Sequence, residues 1–348
     1  MKINIENFFN RDFSKISIKF LKKITSAVGG ILLVVLLFFI FEIYVPINDK
    51  SNETIIYTVK KGWGDDQIAE DLQKSGIIRN KNFFSFYVIF TLKHASLKAG
   101  DYILSPKMSI QQIAKKMADG DVIRDKVVIL EGWDINDIGD YLAKKGACTK
   151  ADFILLTKKD YSSQFSFLAD KPKNLDIEGY LFPDTYEIGK SESCENIISY
   201  MLANFDKKLT SELREEIRAQ KKSIFDVVVM ASLIEKEVRN MDDKKVVSGI
   251  LWKRLAIDMP LQLDATINYI TGKSNPSSTI KDTKIDSPYN TYKYYGLPLG
   301  PISNPGLNSI TAAIYPKKTN YWYYLSDGVT HFSETLEQHN AAKAKYLN

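Results

Sequence analysis

Residues 24–45 are the stretch that most constrains this chain, because they carry a single charge, Glu42, in 22 residues. As a helix, the stretch would be about 33 Å long, which is enough to cross a bilayer. The end of the stretch contains the large residues Phe41 and Tyr44 and is followed by Pro46. A cleaved signal peptide, in contrast, has a shorter apolar core followed by small residues. The sequence therefore predicts an uncleaved transmembrane helix over 24–45.

The distribution of basic residues around this helix predicts its orientation. Six precede it, whereas Lys50 alone follows closely. Positive charge is enriched on the cytoplasmic side of membrane helices. We therefore predict a cytoplasmic basic tail (1–23), a single span of the inner (cytoplasmic) membrane, and a periplasmic or otherwise extracytoplasmic C-terminal part. The basic residues are Lys2, Arg11, Lys15, Lys19, Lys22 and Lys23.

Charge and composition exclude several classes of function. The net charge is +5, but outside the tail 41 basic residues balance 40 acidic ones, so the outward part is not a nucleic-acid-binding surface. Cys148 and Cys194 could pair or stay free, and no metal-binding cysteine spacing is present. His331 and His339 lack a third ligand at a recognisable spacing. The sequence predicts neither a metal nor a cofactor.

A strand, a glycine turn and an amphipathic helix follow the polar linker 46–54, and the apolar spacing of this unit recurs. The copies begin 45 and 25 residues apart, which is too irregular for a solenoid. Their apolar positions are Trp63, Ile68 and Leu72; Met108, Ile113 and Met117; and Trp133, Ile138 and Leu142.

The first two copies, from residue 55 to about 123, resemble a LysM-like module in the YTVKKG opening followed by QIAEDL. Such βα modules commonly bind glycans that contain N-acetylglucosamine. The alternative is a small spacer that carries the rest of the chain off the membrane. We predict a LysM-like domain over 55–125.

The remainder, 126–348, is predicted to be a larger mixed α+β domain. Short strands and Gly/Pro/Asn loops alternate with helices, and YWYYLSDG at 321–328 is typical of a core strand that ends in an Asp-Gly turn. The predicted helices span about 135–145, 150–157, 193–218, 223–239, 242–255 and 333–346.

The helix at 223–239 contains an uncharged run that ends on two glutamates. A 3.6-residue repeat aligns Val228, Ala231 and Glu235 on one stripe, whereas Glu237 lies about 160° away and is predicted to face solvent. Apolar surroundings would keep Glu235 protonated, as a general acid requires. The alternative is that Glu235 merely ends the buried segment and is solvated.

Four separated motifs resemble the YceG/MltG family of endolytic murein transglycosylases, over roughly residues 20–345. They follow an EGYLFPDTY segment at 178–186, in the order that the family shows. The motifs are ASLIEKEV, LQLDATINY (261–269), SPYNTYKYYGLPLGPISNPG (287–306) and HFSETLEQHN (331–340).

The resemblance implies that Glu235 is the catalytic residue, since it matches the glutamate of the family's [AS]-S-x-[IV]-E-K-E segment. It also implies lytic cleavage between N-acetylmuramic acid and N-acetylglucosamine, in which one carboxyl group first donates and then removes a proton and a 1,6-anhydro ring forms. The departures from the family's pattern concern substrate positioning more than the reaction; they are Leu263, Ala265, Leu299 and Gln338.

The proline- and tyrosine-rich segment 287–306 is predicted to be an extended functional loop. Three of its four tyrosines, Tyr292, Tyr294 and Tyr295, could contact sugar rings or merely fix the loop to its own domain. Amides suited to acetamido groups are Asn290, Asn304 and Gln262. Acids that could serve as a second carboxylate, or alternatively as caps or turn residues, are Asp264, Asp286 and Glu178. The predicted substrate-binding residues are Gln262, Asp264, Tyr295, Asn304 and Glu178.

The sequence thus predicts a membrane-anchored lytic transglycosylase that cuts nascent peptidoglycan strands internally and limits their length. Its predicted partners are glycan strands and the membrane, with peptidoglycan synthases as further candidates. Two alternatives remain open: a non-enzymatic glycan-binding scaffold of the cell-wall synthesis machinery, and a muramidase that uses water and two carboxyl groups.

Overall fold

The computed structural model describes residues 13–50, 53–91, 97–190, 192–273 and 278–347, with side chains from residue 20 onward. These residues form a mixed α+β structure, as predicted. They divide into two compact units, one drawn from 1–124 and 189–191, the other from 125–188 and 192–348. The strands of these residues pair in three two-stranded sheets, each formed by two strands that are consecutive in the chain.

The first helix, α1 (Phe13–Tyr44), contains the apolar stretch. Its segment Phe20–Tyr44 has 25 residues and a mean hydropathy of 2.7 in its most apolar window, none of which is buried within the protein. A helix of this length and composition is consistent with a single-pass membrane anchor. Most of the predicted basic tail, residues 1–12, lies outside the described part of the chain.

The first unit continues with a two-stranded antiparallel sheet flanked by helices. Its register runs from Ile55 opposite Leu104 to Val59 opposite Gly100. The apolar positions of the first two repeats that lie in helices are buried, so the spacing identified core residues. The resemblance to a LysM-like module remains a prediction. The elements are β1 (Ile55–Val59), α2 (Asp65–Lys74), α3 (Lys81–Thr91), β2 (Gly100–Leu104) and α4 (Ile110–Asp119).

The rest of the chain is predominantly helical. In chain order its elements are β3 (Arg124–Val128), α5 (Ile135–Lys144), α6 (Lys150–Thr157), β4 (Thr185–Gly189), α7 (Cys194–Lys208), α8 (Ser211–Ala219), α9 (Ile224–Glu237), α10 (Met241–Leu255), α11 (Asp264–Thr271), α12 (Leu307–Ile314), β5 (Tyr323–Ser326), β6 (Thr330–Ser333) and α13 (Leu336–Tyr346).

Helix α9 is the centre of the larger unit. Ser223 caps it by accepting a hydrogen bond from the backbone N–H of Asp226, 2.9 Å away. Residues 227–234 are all buried, against α12, α10, α11 and α8. Each buried aliphatic side chain of this kind contributes about 1.5–3 kcal/mol. The helix ends where Val238 turns to an extended conformation, which leaves its last turn at the edge of the core.

Two elements differ from the prediction. The expected helix over 193–218 is two helices, because Leu209 leaves the helical conformation and the side chain of Thr210 caps a new helix at the N–H of Leu213. The predicted strand within 321–328 and its Asp-Gly turn are present as the first strand and the turn of the β5–β6 hairpin, but this strand is less buried than a core strand. Within β5, Leu325 is buried and its other residues are half-buried or exposed.

The two cysteines, whose state the sequence left open, form a disulfide. Cys148 lies just before α6 and Cys194 begins α7, and their Cα atoms are 5.5 Å apart, within the usual range for a disulfide. The bond joins two helices that pack side by side.

Candidate active site

The C-terminal turn of α9 faces an open cleft in the larger unit. The turn after β3 forms the opposite wall, and three carboxyl groups and two basic side chains line the cleft. Its lining residues are Glu131, Gly132, Trp133, Glu235, Lys236, Glu237, Val238 and Arg239. The predicted catalytic residue therefore does lie in a cleft.

Glu235 is held by donors on both of its carboxylate oxygens. Oε1 accepts a hydrogen bond from Nζ of Lys244 at 2.9 Å. Oε2 accepts from the backbone N–H of Gly306 at 3.0 Å and from the hydroxyl of Ser309 at 2.7 Å. Gly306 is the N-cap of α12, where the positive end of a helix dipole stabilises a negative charge.

The sequence predicted apolar surroundings for Glu235. This prediction is wrong, because polar groups contact its carboxyl group. The side chain of Glu235 is 8% exposed and that of its partner Lys244 is 3% exposed. The pair is therefore a buried salt bridge. The ammonium of Lys244, the hydroxyl of Ser309 and the N-terminus of α12 together fix the position of the Glu235 carboxyl group.

Glu237 contrasts with Glu235, and the prediction that it faces solvent is met only in part, since the residue lines the open cleft. It is half-buried and accepts one side-chain hydrogen bond, from the hydroxyl of Tyr324 at 3.0 Å. Burial raises the pKa of Glu237 to about 7, the negative charge of Asp264 adds to the rise, and the Tyr324 hydroxyl and Arg254 oppose it. A carboxyl group with this pKa can both give and take a proton near neutral pH.

The guanidinium of Arg254 is largely committed to the backbone. It donates to the carbonyl of Trp322 through Nε and Nη2, at 2.9 and 2.6 Å, and to the carbonyl of Leu261 at 2.8 Å. Arg254 thereby fixes the start of the β5–β6 hairpin against α10. This places Tyr324 over Glu237 while leaving Glu237 without an ion pair among the described residues.

Glu131 is a third acid in the cleft, and the sequence did not indicate it. It follows β3 in the third copy of the repeated motif, which marked only core positions. Burial raises the pKa of Glu131, and the charge of Glu235 adds to the rise. A Cβ atom at Gly306 would lie 1.9 Å from Oε1 of Glu131. Glycine at 306 therefore leaves room for the Glu131 carboxyl group in the position that it occupies.

Asp264 is a predicted binding residue that lies near the carboxyl group of Glu237. It begins α11 and accepts hydrogen bonds from the hydroxyl of Tyr292 at 2.8 Å and from the N–H of Ser278 at 3.2 Å. Its charge acts on Glu237. The predicted loop over 287–306 has no helix or strand, and Tyr292 joins it to Asp264.

Asn304 and Glu178, both predicted to bind substrate, are buried and bond to each other and to the backbone instead. The Asn304 amide donates to Oε1 of Glu178 at 2.8 Å and to the carbonyl of Trp133 at 3.0 Å. Its oxygen accepts from the N–H of Leu181 at 2.8 Å. Burial raises the pKa of Glu178 well above its usual range. Their hydrogen bonds lie within the protein, so these two residues position the Trp133 turn.

Gln262 and Tyr295 remain accessible. Gln262 is exposed, has a left-handed backbone with φ of 53°, and lies two residues before Asp264. Tyr295 is 69% exposed at the tip of the loop. Asn290 and Tyr294, in contrast, fix the loop to its own domain, through the carbonyls of Thr283 and Ile285 and through Asp286 respectively.

Comparison with known proteins gives a consistent result. The endolytic murein transglycosylase of Bacillus subtilis is 34% identical over 318 residues, covering 87% of this chain and 88% of that protein. Its namesake from Streptococcus pneumoniae strain D39 is 29% identical over 340 residues, covering 89% of this chain and 61% of that protein.

Structural comparison agrees with these matches. The crystal structure of a YceG-like protein from Listeria monocytogenes is 37% identical in sequence and has a TM-score of 0.58, covering 84% of this chain and all of that one. The model of the YceG-like family matches residues 57–345. The chain therefore belongs to the YceG-like family.

Proposed function

We propose that this protein is a membrane-anchored endolytic lytic transglycosylase that cleaves peptidoglycan. Relatives that align with most of the chain carry the name endolytic murein transglycosylase. The observation that carries the proposal is a cleft in which a carboxyl group with a pKa of about 7, Glu237, lies two residues from an ion-paired carboxylate, Glu235.

Glu237 supplies the proton in this proposal. Its carboxylic acid protonates the oxygen of the β-1,4 bond between N-acetylmuramic acid and N-acetylglucosamine, and the bond from C1 of the muramoyl residue to that oxygen breaks. The resulting carboxylate then takes the proton of the muramoyl C6 hydroxyl, whose oxygen bonds to C1. The products are a new N-acetylglucosamine end and a 1,6-anhydro end, and Glu237 recovers its proton.

Glu235, the acid predicted from the sequence, is the rival assignment, and it stays a prediction. Its carboxylate neutralises Lys244 and ties the end of α9 to the N-terminus of α12. The assignments to Glu237 and to Glu235 predict opposite results when the cleavage rates of the Glu237→Gln and Glu235→Gln variants are compared.

Substrate positioning falls to the residues around Asp264. Its carboxylate, with the Tyr292 hydroxyl, lies close enough to act on Glu237. The exposed Gln262 and Tyr295 can reach acetamido groups and sugar faces. Because the nucleophile belongs to the substrate, holding the ring in a reactive orientation can replace activation by a second carboxylate.

Location completes the proposal. Helix α1 anchors the chain in the cytoplasmic membrane with residues 1–23 inside, and both units lie outside, next to glycan strands that are still membrane-tethered as they grow. Cleavage there limits strand length. The segment 55–125 is proposed to be a LysM-like glycan-binding module, and peptidoglycan synthases are candidate partners.

The test is product analysis by mass spectrometry after the full chain, in detergent micelles, is incubated with uncrosslinked glycan strands. We expect internal fragments that end in 1,6-anhydro-N-acetylmuramic acid. Reducing muramoyl ends without anhydro product would instead identify a hydrolase. Intact strands that nevertheless co-sediment with the protein would identify a glycan-binding scaffold.

The rate should depend on pH through Glu237. Because its raised pKa is about 7, the proton is present below that pH and is lost above it. We expect kcat/KM to fall about tenfold per unit above pH 7. The Tyr324→Phe variant removes the hydroxyl that stabilises the carboxylate, so its fall should begin at higher pH. A fall at the same pH in both proteins would assign the titration to another group.

A further inference from the structure

Helix α3 has an apolar face that the first unit does not cover. Phe84, Tyr87 and Val88 point into the core, whereas Phe86, Ile89 and Phe90, on another side, are 40%, 50% and 68% exposed. Residues three and four apart share a face, so these three form one patch. A helix that is apolar on several sides is typical of burial in protein or in a membrane.

This patch, Phe86, Ile89 and Phe90, is continuous with the apolar surface of α1. The rings of Phe39 and Phe83 meet edge to face with centroids 4.8 Å apart, and those of Phe39 and Phe86 lie 5.3 Å apart. Phe86 in turn contacts Phe90 at 4.3 Å. The aromatic contacts therefore run without a break from the candidate span to the exposed end of α3.

The contacts occur below the outer end of the apolar helix. Phe39 precedes Tyr44 by five residues, or about 8 Å along a helix. Ile40 and Phe41, which lie nearer that end, are each 46% exposed and need lipid around them. If lipid reaches Phe41, Phe39 lies deeper in the bilayer than the lipid boundary. The side chains of α3 that contact Phe39 then lie at the same depth.

Arg79 marks the level at which the apolar region ends. It donates to the carbonyls of Val45 and Pro46, just beyond α1, and its guanidinium lies over the ring of Phe41 at 4.9 Å. A basic side chain at the end of a span, with its apolar stem toward the helix, is typical of the membrane interface. These bonds also fix α3, which begins two residues later, to the end of the span.

We propose that the patch on α3 is inserted into the outer leaflet of the membrane that α1 crosses, so that α3 is a second, interfacial membrane contact. The proposal rests on the membrane anchoring proposed above. Interfacial helices bury their apolar face about 5–10 Å into the boundary between headgroups and acyl chains, which agrees with the level of Phe39. The first unit is then held against the bilayer surface, beyond the single span.

The test places an environment-sensitive fluorophore on single introduced cysteines of the full chain, reconstituted in phosphatidylcholine vesicles with or without bromine on the acyl chains. Cys148 and Cys194 are disulfide-bonded, and unsubstituted protein serves as the labelling control. We expect the label at Phe90→Cys to lose emission in brominated lipid, as a label at Val34→Cys within the span does. A label at Lys61→Cys, a charged exposed position of the same unit, should keep its emission.

The outcomes separate the two proposals. Quenching at Val34 but not at Phe90 would refute the interfacial helix and leave the anchor intact. Quenching at neither would refute both. Energy transfer between labels at Phe90→Cys on two molecules, without quenching by bromine, would show that a second copy covers the patch. That result would also refute the proposal. Because Phe90 is 68% exposed, its replacement removes little packing.

Discussion

Glu237→Gln should slow cleavage of glycan strands by about 10²- to 10⁴-fold at neutral pH, the usual contribution of a general acid–base group. Glutamine keeps the size of the side chain and its contact with Tyr324 but has no transferable proton. The decisive comparison is with Glu235→Gln, which leaves Glu237 in place. We expect its remaining activity to keep the fall near pH 7, while its lower stability reflects the unpaired Lys244. The measurement is the initial rate of anhydro-product formation.

The control for both variants is Glu215→Gln, on the exposed side of α8, which should cleave at the wild-type rate. Wild-type activity in Glu237→Gln would contradict our assignment. If, in addition, a folded Glu235→Gln protein were inactive, the sequence-based assignment to Glu235 would be correct. Thermal unfolding of each variant distinguishes loss of chemistry from loss of structure.

Lys244→Met should lower the free energy of unfolding by about 3–5 kcal/mol, because it leaves the carboxylate of Glu235 buried without its cation. Both side chains are less than a tenth exposed, so water replaces little of what is lost. The double variant Glu235→Gln, Lys244→Met removes both charges and should recover much of the stability. Denaturant unfolding followed by tryptophan fluorescence measures both effects.

The matched control is Lys150→Met, which breaks a salt bridge to Asp140 whose side chains are 41% and 67% exposed. Exposed pairs of this kind contribute about 0–1 kcal/mol. A similarly small effect of Lys244→Met would mean that solvent reaches the Glu235 pair, and the view of Glu235 as a fixed carboxylate would then fail.

Sequence patterns correctly predicted those features that depend on neighbouring residues in the chain. The uncharged run at 227–234 lies in a buried helix, the proline-rich loop lacks regular structure, and all but the last residue of the stretch 24–45 lies within a helix long and apolar enough to cross a membrane. In each case the side chains themselves select the conformation or the solvent.

The environment of the two glutamates could not be predicted in this way. Helical periodicity gives the direction of a side chain but not the element that covers it. Glu237 is covered because the hairpin returns Tyr324 from 87 residues away. Lys244 is buried while its neighbour Lys245 is half-buried, and nothing within MDDKKVV distinguishes the two. Such contacts depend on tertiary packing.

The hydrogen bonds of Asn304 have a consequence for biosynthesis. They reach back 171 residues to Trp133, 126 to Glu178 and 123 to Leu181, and contacts over such separations form late in folding. During N- to C-terminal synthesis, the Trp133 turn can therefore receive these bonds only after Asn304 has been made, when about seven-eighths of the chain is complete. A prematurely terminated copy that ends before residue 304 would lack the bonds that hold the Trp133 wall of the candidate active site.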